Sequence, residues 1–181
     1  MNRAVFLDRD GTIIKDKGYL KHPKEVEFYN DTFSALRELQ KHFLLFVITN
    51  QPGIAKGLIT PGEVENIHHF IQERFKEENI IIQEFYYCPH LKEDRCICRK
   101  PNSYFLDKIA KKYGVDLTLS FMVGDHPSDI QLAFNARANG IFLLTGHGKN
   151  HVHELPGQLK KPVKICRNIK YAARHILDLI Q

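Results

Sequence analysis

The sequence contains no long hydrophobic segment. Its first apolar run, AVFL at 4–7, is only four residues long and is followed directly by the acidic stretch DRD. A membrane-spanning helix needs about 20 mostly apolar residues, and the apolar part of a signal peptide needs about 7–15. We therefore expect neither a signal peptide nor a membrane span, and we predict a cytoplasmic protein that does not bind a membrane.

Internal repeats, low-complexity tracts and Pro- or Gly-rich linkers are also missing. The 181 residues, 43% of them hydrophobic, suffice for one substantial core and leave little room for a second. The sequence therefore predicts a single domain at 1–181, which we expect to be a monomer. Its formal charge of +5 suits an anionic ligand but excludes no class of protein.

Short apolar runs alternate with segments of helical periodicity. The apolar runs predict buried strands at 4–7, 43–48, 121–123, 141–144 and 163–166. Apolar residues at three- and four-residue steps predict helices at 32–42, 62–78, 103–113, 128–139 and 169–180. This alternation is typical of an α/β fold, a Rossmann-like three-layer sandwich with a mostly parallel central sheet. No separate cap domain is expected, because 12–23 is too short for one and the chain after the second strand is predicted to form a helix and a strand.

Polar residues follow the predicted strands at the points where each strand ends. In open α/β sheets, ligands bind beyond the carboxyl ends of the strands. Here Asp8 and Asp10 follow the first strand, Thr49 follows the second, and Asp125 follows the third. If the chain stays extended, the carboxylates at 8 and 10 could face the same side, where they would repel each other unless a cation neutralised them or one acid held a proton. Asp125 could complete an all-oxygen site suited to Mg2+.

This set of groups suits phosphoryl transfer. One acid can act as a nucleophile on phosphorus and another as a general acid and base. The hydroxyl of Thr49 and the compact charge of Lys100 can hold phosphoryl oxygens. The alternative is that DRDGT is only a turn at the end of a strand, where aspartate is favoured for its local hydrogen bonds.

Three cysteines and a histidine lie close together in YYCPHLKEDRCICRKP. In a reducing compartment, clustered cysteines bind metal more often than they form disulfides. Three thiolates and an imidazole would fill a tetrahedral Zn2+ shell and leave no open position, so we predict a structural zinc loop at 88–98 that presents Arg99 and Lys100 rigidly. A redox pair or a disulfide from Cys88 to Cys96 or Cys98 is the alternative. The predicted zinc ligands are Cys88, His90, Cys96 and Cys98.

Other cysteines and histidines receive a different interpretation. Cys166, at the end of an apolar run, is predicted to be a core thiol. His68 and His69 fall on a helix with different facings, and HGKNHVH at 147–153 lies in a polar loop containing glycine. We therefore do not assign a second metal site to these histidines.

Four motifs in order, VFLDRDGTI, VITNQ, RKP and MVGDHPSDI, resemble those of the haloacid dehalogenase superfamily of phosphatases. The resemblance spans 4 to about 145. It implies that Asp8 is the nucleophile and Asp10 the general acid and base. It also implies that Thr49 and Lys100 hold the transferring phosphoryl group, with Mg2+ bound by Asp8, Asp125 and the backbone carbonyl of Asp10.

Asp129 has two interpretations of equal weight. By the resemblance, it does not bind the metal directly but supports the metal site or Lys100. Alternatively, it is an ordinary acid in the first turn of a helix, where the helix dipole favours negative charge.

The stretches YYCPH and CICRKP narrow the resemblance to a zinc-containing branch. That branch includes phosphatases of D-glycero-D-manno-heptose 1,7-bisphosphate and the histidinol-phosphatase domain. DKGYL and TNQPGIAKGLIT favour a heptose bisphosphate, whereas the five residues between His90 and Cys96 are closer to the histidinol-phosphatase form, and Pro52 replaces a usual small hydroxyl residue. Arg99 is expected to bind the distal phosphate or the sugar, since its planar fork can hold two oxygens. The residues implied to line the sugar pocket are Asp16, Lys17, Gly18, Tyr19, Asn50, Gln51 and Pro52.

A zinc-knuckle protein that binds nucleic acid is a distant alternative, suggested by the basic isoelectric point and the Cys/His cluster. Such proteins interleave aromatic and basic residues on one face. This chain spreads its lysines and arginines over all predicted helices and places acids at the strand ends. We therefore expect a small phosphorylated metabolite as the ligand and no nucleic acid.

Overall fold

A computed structural model describes residues 1–155 and 163–180. Six strands form one sheet in the order β3-β2-β1-β4-β5-β6, and every pair of neighbours is parallel. The predicted parallel α/β fold is confirmed. The strands are β1 (Ala4–Leu7), β2 (Leu44–Asn50), β3 (Ile82–Cys88), β4 (Phe121–Gly124), β5 (Asn139–Leu143) and β6 (Lys164–Cys166).

Helices cover both faces of the sheet and produce the three predicted layers. One apolar cluster joins Val5 and Leu7 of β1 to α1, α2 and α6, while Phe6 faces a second cluster with α3 and α4. This split follows from the alternation of side chains along a strand. The helices are α1 (Thr32–Leu39), α2 (Pro61–Glu77), α3 (Tyr104–Tyr113), α4 (Pro127–Asn135), α5 (Gly148–His151) and α6 (Ile169–Asp178).

Helix boundaries follow local capping signals. Helix α2 begins at Pro61 behind Thr60, whose side chain accepts a hydrogen bond from the backbone N–H of Glu63 in a capping box. The predicted helix at 128–139 was too long. It ends at Asn135, Arg137 adopts a φ of 61°, and the next strand already begins at Asn139.

The strand predicted after the helix that follows β2 was given no bounds, and the structure shows it as β3. Its sequence, IQEFYYC, mixes polar and apolar residues because it lies at the edge of the sheet and is buried only in part. The segment between β1 and α1 contains only a short 3-10 turn at Pro23–Glu25. None of the helices in the described ranges is long and apolar enough to cross a bilayer.

The sheet order places β1 between β2 and β4. From β1 the chain adds β2 and β3 on one side and then β4, β5 and β6 on the other side. This reversal of the strand order opens a crevice beyond the carboxyl end of β1. Leu7 lies beside Val47 on one side and Val123 on the other, so the residues that follow these three strands meet at one place.

Candidate active site

A cleft of about 1190 Å³ lies beyond the carboxyl ends of β1, β2 and β4. It brings together the side chains that the sequence predicted from separate strand ends. Asp8, Asp10, Thr49, Lys100 and Asp125 all line it.

The first loop turns sharply after Asp8. The backbone N–H of Asp8 donates to the carbonyl of Val123 at 2.9 Å, which continues the sheet by one residue. Gly11 then adopts a φ of +83° and packs so closely that a Cβ atom would lie 2.1 Å from Asp125 Oδ2. Glycine is required here for both conformation and space. The carbonyl of Arg9 accepts hydrogen bonds from the backbone N–H groups of Ile13 and Ile14, so the chain turns back after Asp10.

Lys100 is buried between two carboxylates. Its Nζ lies 2.5 Å from Asp8 Oδ1 and 2.7 Å from Asp129 Oδ1, and it donates to the carbonyl of Ile48 at 3.1 Å. Burial alone would lower the pKa of Lys100, but Asp129 and Asp8 raise it above the ordinary value. Lys100 is therefore a fixed positive charge beside the Asp8 carboxylate.

Three carboxylates converge around this lysine. Asp8, Asp125 and Asp129 each offer an oxygen within 4.8 Å of the others. Burial raises the pKa of Asp8 to about 7, with further contributions from Asp129 and Asp10 against Lys100. Burial and the charge of Asp8 raise the pKa of Asp125 to about 8. One lysine cannot balance three buried carboxylates, so the cluster favours a further cation.

Asp125 is held from the far side by the loop after β5. The backbone N–H of His147 donates to Asp125 Oδ2 at 2.7 Å. Gly146 adopts a φ of +48°, and a Cβ atom there would lie 2.2 Å from the same oxygen. The sequence analysis placed 147–153 in a polar loop and did not assign it to the site, although the glycine between Thr145 and His147 was a signal of a close approach of the backbone. Most of this run is helical, in α5 and a 3-10 turn at Val152–Glu154.

Asp129 makes contacts that are compatible with both of its interpretations. Its Oδ2 accepts from the backbone N–H of His126 at 3.1 Å, in the capping box that opens α4. Its Oδ1 forms the ion pair with Lys100. The same buried carboxylate therefore closes a helix terminus and fixes the lysine.

Asp10 lies beside the trio and is held separately. Arg9 donates from Nε and Nη2 to its two carboxylate oxygens at 3.0 and 3.1 Å. Gln51 Nε2 donates to Asp10 Oδ2 and to Thr49 Oγ1, both at 2.9 Å. Arg9 was missed by sequence reasoning, since an arginine next to two acids is ordinarily read as exposed.

Two residues implied to bind substrate have additional structural partners. Asn50 exchanges hydrogen bonds with the backbone of Lys100, donating at 3.3 Å and accepting at 3.1 Å. Lys17 forms an ion pair with Glu27 at 3.0 Å and does not belong to the cleft lining. All the implied residues except Lys17 line the cleft: Asp16, Gly18, Tyr19, Asn50, Gln51, Pro52 and Arg99.

The segment after Lys15 forms one wall of the cleft. Asp16 Oδ2 lies 2.8 Å from His147 Nε2, and the hydroxyl of Tyr19 accepts from Lys56 Nζ at 2.9 Å. These contacts tie the wall to the loops after β5 and β2.

The cysteine cluster has the geometry of a closed metal site. Its sulfur–sulfur distances are 3.3–3.6 Å, and His90 Nδ1 lies 3.6 Å from Cys88 Sγ and 3.4 Å from Cys98 Sγ. A tetrahedral shell with Zn–S bonds of about 2.3 Å separates its ligands by roughly 3.5–3.8 Å. All four cysteines are free thiols, and Cys166 is buried in the core as predicted. The four atoms of the cluster therefore fit a zinc ion.

Arg99 connects this cluster to the cleft. Its Nη1 donates to the carbonyl of His90 at 3.0 Å, and its side chain lines the cleft together with Lys92 and Arg95 of the same loop. The loop thus places cationic side chains in the lining of the cleft.

Comparisons with known proteins agree with this geometry. The family model described as HAD-hydrolase-like matches residues 97–172. The chain is 38% identical to the D-glycero-beta-D-manno-heptose-1,7-bisphosphate 7-phosphatase of Helicobacter pylori, over 79% of this chain and 84% of the relative. It is 35% identical to the D-glycero-alpha-D-manno-heptose-1,7-bisphosphate 7-phosphatase of Campylobacter jejuni, over 81% of this chain and 85% of the relative.

A solved structure supports the same assignment. The D,D-heptose 1,7-bisphosphate phosphatase from B. bronchiseptica, complexed with magnesium and phosphate, superposes with a TM-score of 0.88 at 28% identity, covering 98% of this chain and 99% of that one. The buried acids beside Lys100, the parallel sheet and these relatives lead to one conclusion. The chain is a phosphatase and belongs to the haloacid dehalogenase-like hydrolases, in the family of the heptose-1,7-bisphosphate 7-phosphatases.

Proposed function

We propose that this protein removes the 7-phosphate of D-glycero-D-manno-heptose 1,7-bisphosphate in a Mg2+-dependent reaction that passes through a phosphorylated Asp8. The observation that carries the mechanism is the buried Asp8 carboxylate, paired with Lys100 at the crevice beside β1. The names of the relatives support the substrate.

The chemistry has two displacements at phosphorus. In the first, an Asp8 oxygen attacks phosphorus, the bond to the sugar oxygen breaks, and Asp10 gives that oxygen a proton. In the second, water attacks the same phosphorus, Asp10 takes its proton, and phosphate leaves Asp8. Lys100 and Thr49 would hold the phosphoryl oxygens during both steps.

The acid trio supports Mg2+ as the cation. Carboxylate oxygens are the ligands this ion prefers, and three of them converge in the cluster. Burial, together with the neighbouring carboxylates, raises the pKa values of Asp8 and Asp125, and a bound cation would offset this cost of ionisation. Asp8, Asp125 and the backbone carbonyl of Asp10 would hold the ion. Asp129 would support the site through its ion pair with Lys100. When bound, the ion would neutralise charge on the phosphoryl oxygens.

Mg2+ is expected to stabilise the protein more at high pH than at low pH. The pKa values of Asp8 and Asp125 are raised to about 7 and 8 from 3.8, so the metal-free fold loses their stabilising protons as the pH rises through this window. Magnesium at pH 8.5 should therefore raise Tm by about 3 °C or more, and at pH 6 by less than half as much. Thermal melts with and without the ion measure this, and equal shifts at both pH values would contradict the site.

Zinc at the cysteine cluster is proposed to hold the loop that carries Arg99 and Lys100. Cys96→Ser should then lose bound zinc and lower kcat/KM by about tenfold or more, because loose positioning of the phosphate-binding lysine slows transfer. Elemental analysis and phosphate release measure the two effects. Cys166→Ser makes the same change outside the cluster and should retain zinc. A zinc-free Cys96→Ser protein with full activity would show that the ion does not position Lys100.

The substrate is tested by phosphate release at equal concentrations of both anomers of the heptose bisphosphate and of histidinol phosphate. A kcat/KM for one heptose bisphosphate that exceeds the value for histidinol phosphate by about 100-fold is expected. The relatives include enzymes named for each anomer, so the same assay assigns the anomer. A preference for histidinol phosphate would replace the proposed substrate and would fit the short spacing between His90 and Cys96. A cytoplasmic location and a monomeric state remain predictions of the sequence.

A further inference from the structure

Arg9 has the largest fully buried side chain among the described residues, with a relative exposure of 1%. A buried charge must be paired and hydrogen-bonded to be tolerated. Arg9 meets this requirement with both oxygens of Asp10 and, on its other side, with His68 Nε2 at 3.2 Å from Nη1.

His68 comes from α2, outside the cleft, and is itself buried. Its ring packs against Phe85 at a centroid distance of 5.0 Å and against Tyr87 at 5.9 Å, both on β3. A guanidinium can only donate hydrogen bonds, so Nε2 of His68 must be the unprotonated acceptor of a neutral ring. Burial, with the charge of Arg9, lowers the pKa of His68 to about 3, in agreement with a neutral ring.

These contacts form a chain of three side chains that ends at the proposed acid and base. A carboxylate paired with arginine alone could still swing with the guanidinium about the bonds of the arginine side chain. The third contact, from His68, fixes the plane of the guanidinium, and that plane fixes the plane of the Asp10 carboxylate. Gln51 then restrains one oxygen of Asp10 from the cleft side.

We propose that His68, acting through Arg9, is a positioning residue that orients Asp10 for proton transfer to the leaving sugar oxygen. This inference rests on the proposed function, in which Asp10 protonates that oxygen as its bond to phosphorus breaks. Loss of the orientation should slow the first displacement only where the leaving group needs a proton.

The test compares two substrates that differ in this need. The leaving group of an alkyl phosphate such as glycerol 1-phosphate is a basic alkoxide, which needs a proton. The leaving group of 4-nitrophenyl phosphate is a stable phenolate, which does not. The ratio of their kcat/KM values reports the first displacement and is independent of the fraction of folded enzyme, because both are measured on one preparation. His68→Phe, which keeps a ring but removes the acceptor, should lower kcat/KM for the alkyl phosphate by at least about tenfold and for the aryl phosphate by under about threefold.

Two further variants make the comparison specific. His68→Gln places an amide oxygen near the position of Nε2 and should restore the ratio of the unmodified enzyme. His69→Phe makes the matched change at the exposed neighbouring position and should leave the ratio unchanged. A parallel fall for both substrates in His68→Phe, or no restoration by His68→Gln, would overturn the positioning role.

The result also separates this inference from the proposed function. An enzyme that releases no phosphate from D-glycero-D-manno-heptose 1,7-bisphosphate, or an Asp8→Asn variant that remains active, contradicts the proposed function itself. A normal enzyme with an inactive Asp8→Asn variant and an unchanged ratio in His68→Phe contradicts only the role of His68.

Discussion

Asp8→Asn is expected to lower kcat by at least about 10⁴-fold and to leave a folded protein. The amide has the shape of the carboxylate but is not a nucleophile for phosphorus. The side chain is nearly buried and its pKa is raised, so its charge is unfavourable in the metal-free fold. Removing that charge should therefore leave Tm at pH 8 unchanged or higher. Phosphate release and a thermal melt measure the two quantities.

Asp178→Asn is the matched control for this variant. It makes the same change at an exposed position near the end of α6, away from the cleft. Its activity should equal that of the unmodified protein. An Asp8→Asn enzyme that keeps even a tenth of the activity would remove Asp8 as the nucleophile, whatever its melting temperature.

Lys100→Met is the second variant with a large expected effect. It should lower kcat/KM by about 10²–10³-fold, the usual cost of removing one group that stabilises charge in the transition state. The structure adds a second cause. Lys100 counteracts the raised pKa of Asp8, so its removal raises that pKa further and leaves less of the ionised nucleophile at neutral pH.

The two causes predict a displaced pH profile as well as a slower enzyme. In Lys100→Met the acid limb of kcat/KM should move to higher pH, because a less acidic Asp8 must still lose its proton before it attacks. Lys100→Arg is not expected to restore activity, since the ammonium fits between three oxygens at 2.5–3.1 Å and a guanidinium is larger and planar. Lys112→Met removes an exposed lysine of α3 as the matched control. A profile identical to that of the unmodified enzyme would contradict the assigned contact.

The parts predictable from sequence were those with strong local patterns. Continuous apolar runs mark central parallel strands, which explains why β1 and β4 were placed correctly. The acids and the glycine of DRDGT come directly after β1, so their meeting with Thr49 after β2 and Asp125 after β4 follows from the parallel topology. Lys100 reaches the same place from the loop between β3 and α3.

The parts that escaped prediction depend on contacts between distant segments. A strand after α2 was predicted, but its bounds were not, because edge strand β3 has a mixed pattern and is buried only in part. Arg9 follows β1 and His68 lies on α2, so no local pattern in the sequence predicts their contact. His68 does share the buried face of α2 with Val64 and Ile71. Lys17 illustrates the opposite case, since a residue implied by the resemblance pairs with Glu27 outside the cleft lining.

Asp129 shows why a residue can resist a single assignment. Its position in the first turn of α4 is a sufficient local reason for an acid, and the sequence pattern contains nothing that separates this role from one at the site. Only the approach of Lys100 from the loop after the cysteine cluster reveals the second role.

The most direct test of the account is to identify the phosphorylated residue during turnover. The enzyme is mixed with D-glycero-D-manno-heptose 1,7-bisphosphate and Mg2+, quenched in cold acid within one turnover, digested, and examined by mass spectrometry. We expect one added phosphoryl group, on Asp8, that disappears as phosphate is released. A phosphoryl group on a histidine, or substrate consumed within the first turnover without any phosphorylated peptide, would contradict the role of Asp8.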